Sequence, residues 1–138
     1  MVIAIQLGTG GDMLVLATLD DTVESLLMDG HSVTQERQLF HAATAEMINR
    51  GNRSRQITFT VKRKPLASVV LAVRALAQHE LDFETKVGPT FAIAIGSAGA
   101  GFKMNFANAV IQHRGRAPGT SSVHDYTVTG GSYTITDL

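Results

Sequence analysis

The sequence has no cysteine among its 138 residues, which excludes disulfide bonds, thiolate metal sites and a cysteine nucleophile. Charge is scarce as well, because charged residues make up only 17% of the chain and 12 basic residues balance 12 acidic ones. A neutral chain has no general attraction to nucleic acid or to a membrane surface. Since net repulsion does not keep copies apart, the composition suits a chain that assembles with itself.

Long apolar runs are also missing. No stretch of the sequence reaches the roughly 20 residues that a membrane-spanning helix needs, so we expect no membrane anchor. The start of the chain lacks a basic segment followed by an apolar one, so we expect no signal peptide. With 44% hydrophobic residues in 138, the chain has the material for one core, and we interpret residues 1–138 as a single domain.

Apolar and alternating stretches predict a mainly β fold. Residues 2–7 and 13–19 are apolar runs joined by a glycine-rich link, a pattern typical of a β-hairpin. In residues 57–62, Ile57, Phe59 and Val61 alternate with polar residues and predict a half-buried strand. Four more stretches predict strands, the last two forming a second hairpin: 90–95, 102–113 with a bulge near 107–108, 123–128 and 132–138.

One helix is predicted over about residues 65–80, because Pro65 suits a first helical turn and apolar residues then recur at helical spacing. Its core-facing stripe is predicted to be Leu66, Val69, Val70, Val73, Leu76, Ala77 and Leu81. One flanking helix with about seven strands predicts a mainly β, α+β class: an antiparallel β-sandwich or open barrel. Residues 20–56 carry no clear pattern and are predicted to form a long loop or arm, with a loop at 50–55.

The glycine-rich link at Gly8–Gly11 raises the question of a nucleotide site. A dinucleotide fingerprint needs G-x-G-x-x-G, followed at once by a helix whose N-terminus receives the pyrophosphate. Gly8 and Gly10 fit the first two positions, but Met13 occupies the third and the following residues favour a strand. A tight turn is therefore the favoured interpretation, and a nucleotide-binding enzyme built on this loop stays an alternative.

The five histidines show no spacing of three or four residues on a helix that would indicate a metal site: His31, His41, His79, His113 and His124. We interpret them as polar surface groups or singly hydrogen-bonded imidazoles. The chain also lacks the G-x-S-x-G motif of a nucleophilic serine. We therefore predict no catalytic residue, no metal ligand and no cofactor, and we expect that the protein is not an enzyme.

Basic residues cluster over 50–64 and recur at 114–116. They could contact phosphates, so a small nucleic-acid-binding module using residues 50–64 is a second alternative. A platform for bases would also need exposed rings, however, and aromatic residues are only 6% of the chain. We favour a solvated edge or contacts with acidic groups of a neighbouring copy, and the candidate subunit-interface residues are Arg50, Arg53, Arg55, Lys62, Arg63, Lys64, Arg114 and Arg116.

From residue 53 onward the chain resembles tail-tube and distal-tail (tail-tip) structural proteins of bacteriophages. The stretch RSRQITFTVKRKPLASVVLAVRALAQHE resembles their strand and following helix. The stretch FKMNFANAVIQHRGRAPGTSSVHDYTVTGGSYTI resembles their later strand, Pro-Gly loop and final hairpin, with NAV at 108–110, PG at 118–119 and YTV at 126–128. Residues 20–50 match nothing in that family.

The resemblance implies a β-sandwich with one flanking helix, assembled as a homo-oligomeric ring, hexameric in this family, around a central channel. It implies other tail proteins as partners, DNA that passes through the channel only transiently, and a place in the virion tail after assembly in the host cytoplasm. Exposed sheet edges and long loops suit head-to-tail contacts that close into a ring. The predicted function is a structural tail subunit without catalysis.

Overall fold

A computed structural model describes residues 1–7, 11, 13–38, 46–86, 90–130 and 132–138, and the side chains of all of these except 29–38, 46–55, 85 and 86. The described residues form nine strands and one helix: β1 (Ile3–Leu7), β2 (Met13–Ala17), β3 (Thr22–Gln38), β4 (Glu46–Lys62), α1 (Val69–Lys86), β5 (Thr90–Ile95), β6 (Phe102–Ala107), β7 (Val110–Arg116), β8 (Val123–Thr129) and β9 (Ser132–Asp137).

The strands form two antiparallel sheets, one with the order β2-β1-β5-β6-β9 and the other with the order β3-β4-β8-β7. Both sheets contribute to a single core, in which Ile3 and Ile93 of the first sheet join Phe59 and Tyr126 of the second. The rings of Phe59 and Tyr126 stack with their centroids 4.7 Å apart. The predicted class, a β-sandwich with one flanking helix, is confirmed, with nine strands in the described residues where about seven were expected.

The first predicted hairpin is confirmed, because β1 and β2 pair antiparallel from Ile3↔Ala17 to Gln6↔Met13. Gly8, Thr9, Gly10 and Asp12 lie outside the described residues. The chain nevertheless leaves this link in strand β2 and not in a helix, so no helix N-terminus follows it to receive a phosphate. The interpretation of Gly8–Gly11 as a dinucleotide-binding loop is therefore wrong.

The second predicted hairpin is wrong. β8 pairs with β4 and β7, whereas β9 pairs with β6 in the other sheet. A Gly-rich turn predicts that the chain changes direction, but it does not say which strand the next one pairs with. Here Gly130, at φ 80°, lies between strands of different sheets, and Asn108, at φ 58°, marks the passage from β6 to β7. Asn tolerates this left-handed conformation better than most residues.

Residues 22–38 and 46–62 form a long hairpin where the sequence predicted a loop or arm. The strands pair from Thr22↔Lys62 to Gln38↔Glu46, so residues 50–55 are strand and not loop. β8 pairs only with residues 56–62 of β4, so the outer part of the hairpin has no third strand among the described residues. We call this part, residues 29–38 with 46–55, the ribbon. Backbone pairing does not require apolar side chains, which is why the sequence pattern missed it.

The helix begins later than predicted, at Val69, because Ser68 caps it. The Leu71 amide donates to Ser68 Oγ over 3.3 Å, and the Ala72 amide donates to the Ser68 carbonyl over 3.2 Å. Pro65 lies in the preceding segment, where the Leu66 amide donates to the Thr120 carbonyl over 3.0 Å. The helix therefore covers Val69–Lys86 and not 65–80.

The predicted core-facing stripe of the helix is wrong except for Leu76. The side of α1 that faces the sheets carries Ala72, Leu76, His79 and Phe83, of which Leu76 is half-buried and the others are buried. The predicted stripe points largely away from the sheets, and Val70 is 76% exposed. Helical spacing shows that one face of a helix is apolar, but it does not show which face contacts the sheets. In this chain a second face, with both apolar and polar residues, packs on the sandwich.

Candidate functional site

The exposed apolar stripe of α1 is the first candidate contact surface. Val69, Val70, Val73 and Leu81 are each about half exposed or more, and Leu66 extends the stripe just before the helix. Large contiguous apolar patches on a protein surface mark contact sites. A helix that packs one face on its own sandwich and leaves an apolar stripe outside has the form of an interface element.

Of the predicted interface residues, Arg63 is engaged within the chain. Its Nη1 donates to Asp21 Oδ2 over 2.7 Å and its Nη2 to the Val15 carbonyl over 3.3 Å. The Arg63 side chain is 20% exposed and that of Asp21 only 2%, so this is a largely buried ion pair. It connects the end of β4 to the turn between β2 and β3, and a role in a subunit interface is not needed to explain it.

Asp21 is the centre of that connection, because it also accepts hydrogen bonds from the Thr18 amide at 2.9 Å and the Lys64 amide at 3.0 Å. Burial would raise the pKa of Asp21, but the hydrogen bonds from Thr18, Lys64 and Arg63 outweigh burial and lower the pKa. The Asp21 carboxylate thus stays charged and holds the crossing between the two sheets. The sequence analysis did not single it out.

The other predicted basic residues with described side chains are exposed. Arg116 Nη1 donates to Asp125 Oδ2 over 2.7 Å, and Lys64 Nζ lies 3.8 Å from Asp20 Oδ2. A hydrogen bond from the Thr60 hydroxyl lowers the pKa of Asp125, and Arg116 lowers it further. Lys62 and Arg114 are exposed. Arg50, Arg53 and Arg55 lie on the ribbon, with side chains outside the described part, so their interface role stays a prediction.

Three histidines that are far apart in the sequence meet between the helix and the four-stranded sheet. His79 comes from α1, His113 from β7 and His124 from β8, and one ring nitrogen of each lies within 4.8 Å of the others. The interpretation as polar surface groups or singly hydrogen-bonded imidazoles is wrong in its first part, because His79 is 9% exposed, His124 is 2% exposed and the His113 side chain is 1% exposed. We call these three residues the histidine cluster.

Each member of the cluster contacts a different partner outside it. His113 Nδ1 lies 3.0 Å from Glu80 Oε2, His124 Nε2 lies 3.0 Å from Ser122 Oγ, and His79 Nε2 lies 2.7 Å from the Tyr126 hydroxyl oxygen. Within the cluster, His113 Nε2 and His124 Nδ1 are 2.8 Å apart. Every one of these side chains therefore has a defined orientation.

Burial controls the charge of the cluster. It lowers the pKa of His79 to about 4 and that of His124 to about 3, and neighbouring positive groups add to the effect. Burial also lowers the pKa of His113, although Glu80 partly opposes this. Burial raises the pKa of Tyr126, so its hydroxyl keeps its proton. Near neutral pH the cluster consists of three uncharged imidazoles.

Two clefts reach the cluster from the surface. One, of about 520 Å³, is lined by His79 and His124 together with Asp21, Arg63 and Asp82. The other, of about 720 Å³, is lined by His113 and Glu80 among other residues. The two clefts thus approach the cluster from two sides, although the histidines themselves are buried.

The register of β7 and β8 explains why the cluster forms. His113 lies opposite Tyr126 and Gly115 opposite His124, so alternate residues of the two strands place His113, His124 and Tyr126 on the same sheet face. Gly115 lets the helix approach, because a Cβ atom there would collide with Leu76. From the sequence, the helical spacing of Ala72, His79 and Phe83 could have placed His79 on the buried face of α1. The meeting of His79 with His113 and His124 depends on the β7–β8 register, which the sequence does not show.

No helix in the described part of the chain is long and apolar enough to span a bilayer. No protein-family model matches the chain, and no curated protein matches it.

Solved structures with a similar chain include three large assemblies. A chain in the virion of a native gene transfer agent particle is 15% identical, with a TM-score of 0.46, covering 97% of this chain and 95% of that one. A chain in the tail of an empty gene transfer agent particle with C6 symmetry is 14% identical, with a TM-score of 0.42 and coverage of 98% and 94%. A chain in the six-fold symmetrised baseplate of the anti-feeding prophage is 8% identical, with a TM-score of 0.36 and coverage of 99% and 91%.

Proposed function

We propose that this chain is a structural subunit of a phage-like tail, without catalytic activity, and that its copies assemble into a ring around a central channel. The proposal rests on the surfaces of this chain and on its sequence resemblance to tail proteins, not on the scores of the structural likenesses. The observation that carries it is the exposed apolar stripe of α1. A second copy of the chain is the occupant we propose for that stripe.

The ribbon supports the same proposal. A two-stranded ribbon is at best marginally stable in water by itself. Its ten-residue strand segments span about 30 Å, so it can reach well beyond the sandwich. Pairing or packing with a neighbouring copy would stabilise it, and among the described residues no strand pairs with the outer edge of β3.

The remaining parts of the proposal follow from the resemblance. The ring is hexameric, other tail proteins bind its two faces, and DNA passes through the channel only transiently. The exposed Lys62, Lys64 and Arg114, with the arginines of the ribbon, lie at subunit contacts. The protein functions in the virion tail after assembly in the host cytoplasm.

The test replaces two exposed residues of the stripe, Val70→Glu with Val73→Glu. In the free chain these side chains are 76% and 50% exposed, so the change removes little burial, and Glu favours helix slightly more than Val. In an interface it would bury two charges without partners, which is strongly unfavourable. We therefore expect the variant to fold normally, as measured by circular dichroism, and to stay monomeric.

Light scattering after size-exclusion chromatography and negative-stain imaging give the readout. The wild-type chain should form rings or short tubes as its concentration rises. The matched control is Ala75→Glu, which adds a negative charge at an exposed position of the same helix outside the stripe. It should assemble like the wild type. A wild-type chain that stays monomeric at high concentration would contradict the proposal, and a doubly substituted chain that still forms rings would remove the stripe from the interface.

A further inference from the structure

We propose that His79, His113 and His124 form a binding site for one divalent transition-metal ion of the zinc type. The inference goes beyond the proposed function and does not depend on it. It starts from the position of three imidazoles on three different elements, with their ligand nitrogens within 4.8 Å of one another.

The spacing suits a tetrahedral ion. Zinc binds imidazole nitrogen at about 2.0–2.1 Å, which separates two such ligands by about 3.3 Å. The observed separations run from 2.8 Å, between His113 Nε2 and His124 Nδ1, to within 4.8 Å across the cluster. The rings would have to rotate to bring all three nitrogens to the required distance, and the cleft that His79 and His124 line is the side from which water would supply a fourth ligand.

The outer contacts are those that metal-binding histidines use. Such a histidine gives its second ring nitrogen to a carboxylate, a carbonyl or a hydroxyl, which fixes its orientation and its tautomer. Here Glu80 is 3.0 Å from His113, Ser122 is 3.0 Å from His124 and the Tyr126 hydroxyl is 2.7 Å from His79. The Glu80–His113 pair is a carboxylate–histidine arrangement pointing at the cluster.

The protons can be placed without a net change. His113 donates Nδ1–H to Glu80, so its Nε2 carries a lone pair. When a metal replaces the His113–His124 hydrogen bond, His124 moves its proton to Nε2 and donates it to the Ser122 oxygen, which frees Nδ1 for the metal. In the metal-bound form His79 would donate Nε2–H to the Tyr126 oxygen, whose own hydroxyl proton would turn away from the ring, and His79 would offer Nδ1 to the metal.

The local charge permits a cation. Arg63 is the nearby positive group, and Asp21 compensates it at 2.7 Å. Glu80 adds a negative charge to the shell. A bound ion would join α1 to β7 and β8, and so stabilise the packing of the helix on the sandwich.

The experiment uses the untagged, full-length chain, stripped with a chelator and titrated with ZnCl₂ and CoCl₂. We expect one ion per chain by calorimetry and native mass spectrometry, and visible absorption bands of tetrahedral Co²⁺. A saturating excess of Zn²⁺ should raise Tm by roughly 5–15 °C. X-ray absorption of the zinc complex should show three imidazole nitrogens near the metal.

Two variants separate ligand loss from loss of stability. His124→Gln removes a ligand and should weaken zinc binding at least tenfold. Phe83→Leu, beside the cluster, removes packing but no ligand, so it should lower Tm and still bind one ion with wild-type affinity. A wild-type chain that binds no zinc at 0.1 mM Zn²⁺, which is about twice a Kd of 50 µM, would overturn the proposal. Unchanged binding by His124→Gln would do the same. If His124→Gln does not fold, the X-ray absorption spectrum of the wild-type zinc complex replaces it as the test. Fewer than three imidazole ligands in that spectrum would overturn the proposal.

Discussion

Replacing Asp21 by Ala should be among the most damaging single changes to the free energy of unfolding. The Asp21 carboxylate is 2% exposed and holds the turn between β2 and β3 against the end of β4. Without it, the Thr18 and Lys64 amides lose their acceptor, and the Arg63 guanidinium loses its counter-charge. The sequence neighbour Asp20, by contrast, is 75% exposed and lies 3.8 Å from Lys64.

The expected magnitude follows from these contacts. Each amide left without a partner costs about 1 kcal/mol. Removing one member of a fully buried ion pair costs about 3–5 kcal/mol, but Arg63 is 20% exposed and recovers part of this through water. Together we expect Asp21→Ala to reduce the free energy of unfolding by about 3 kcal/mol, and Tm by about 10 °C. Asp20→Ala should cost less than about 0.5 kcal/mol.

Urea unfolding of the three proteins at one protein concentration measures the difference, with equal m-values as the sign that only stability has changed. The effect also depends on pH. Since folding lowers the pKa of Asp21, the carboxylate contributes stability above its unfolded pKa and loses it as pH falls through the folded pKa. The gap between wild type and Asp21→Ala should therefore shrink below about pH 4. If the two aspartate variants were equally stable at pH 7, the assigned role of Asp21 would be wrong.

Two further predictions concern the helix. Ser68→Ala should cost about 1 kcal/mol, because the Leu71 amide loses its cap, and Ser68→Asp should restore most of it; urea unfolding tests both, and equal stability of all three proteins would exclude a cap at Ser68. Gly115→Val should cost about 1–2 kcal/mol, because its side chain would force the Leu76 side chain out of its place between α1 and β7. Gly119→Val is its control, since a Cβ at Gly119 meets nothing within 4 Å, and it should leave thermal stability nearly unchanged.

Much of the sandwich could be predicted from local patterns. Alternation placed Ile57, Phe59 and Val61 in the core, and continuous apolar character marked residues 90–95 as a central strand, which β5 is between β1 and β6. These patterns report how each residue divides between core and solvent, and that division is a local property of a strand. The ribbon escaped prediction because paired backbones need no apolar pattern.

The candidate site was much harder to predict from the sequence. The period of the apolar residues predicts the helix but assigns its apolar stripe to the core, whereas the buried residues Ala72, His79 and Phe83 lie on the other side. The pairing of β8 and β9 was inferred from adjacency in sequence, although a glycine turn allows either a hairpin or a change of sheet. Neither error could be corrected without knowing which surfaces face each other.

The amino-acid sequence by itself determined the mainly β class, the first hairpin, the single helix and the alternating core of β4, because side-chain hydrophobicity and backbone preference act over a few residues. Only the tertiary structure decided that His79, His113 and His124 meet, that Asp21 binds Arg63 and that the apolar stripe of α1 remains outside. These features depend on strand register and on the rotation of one helix about its axis. Both are set by packing between residues that lie far apart in the chain.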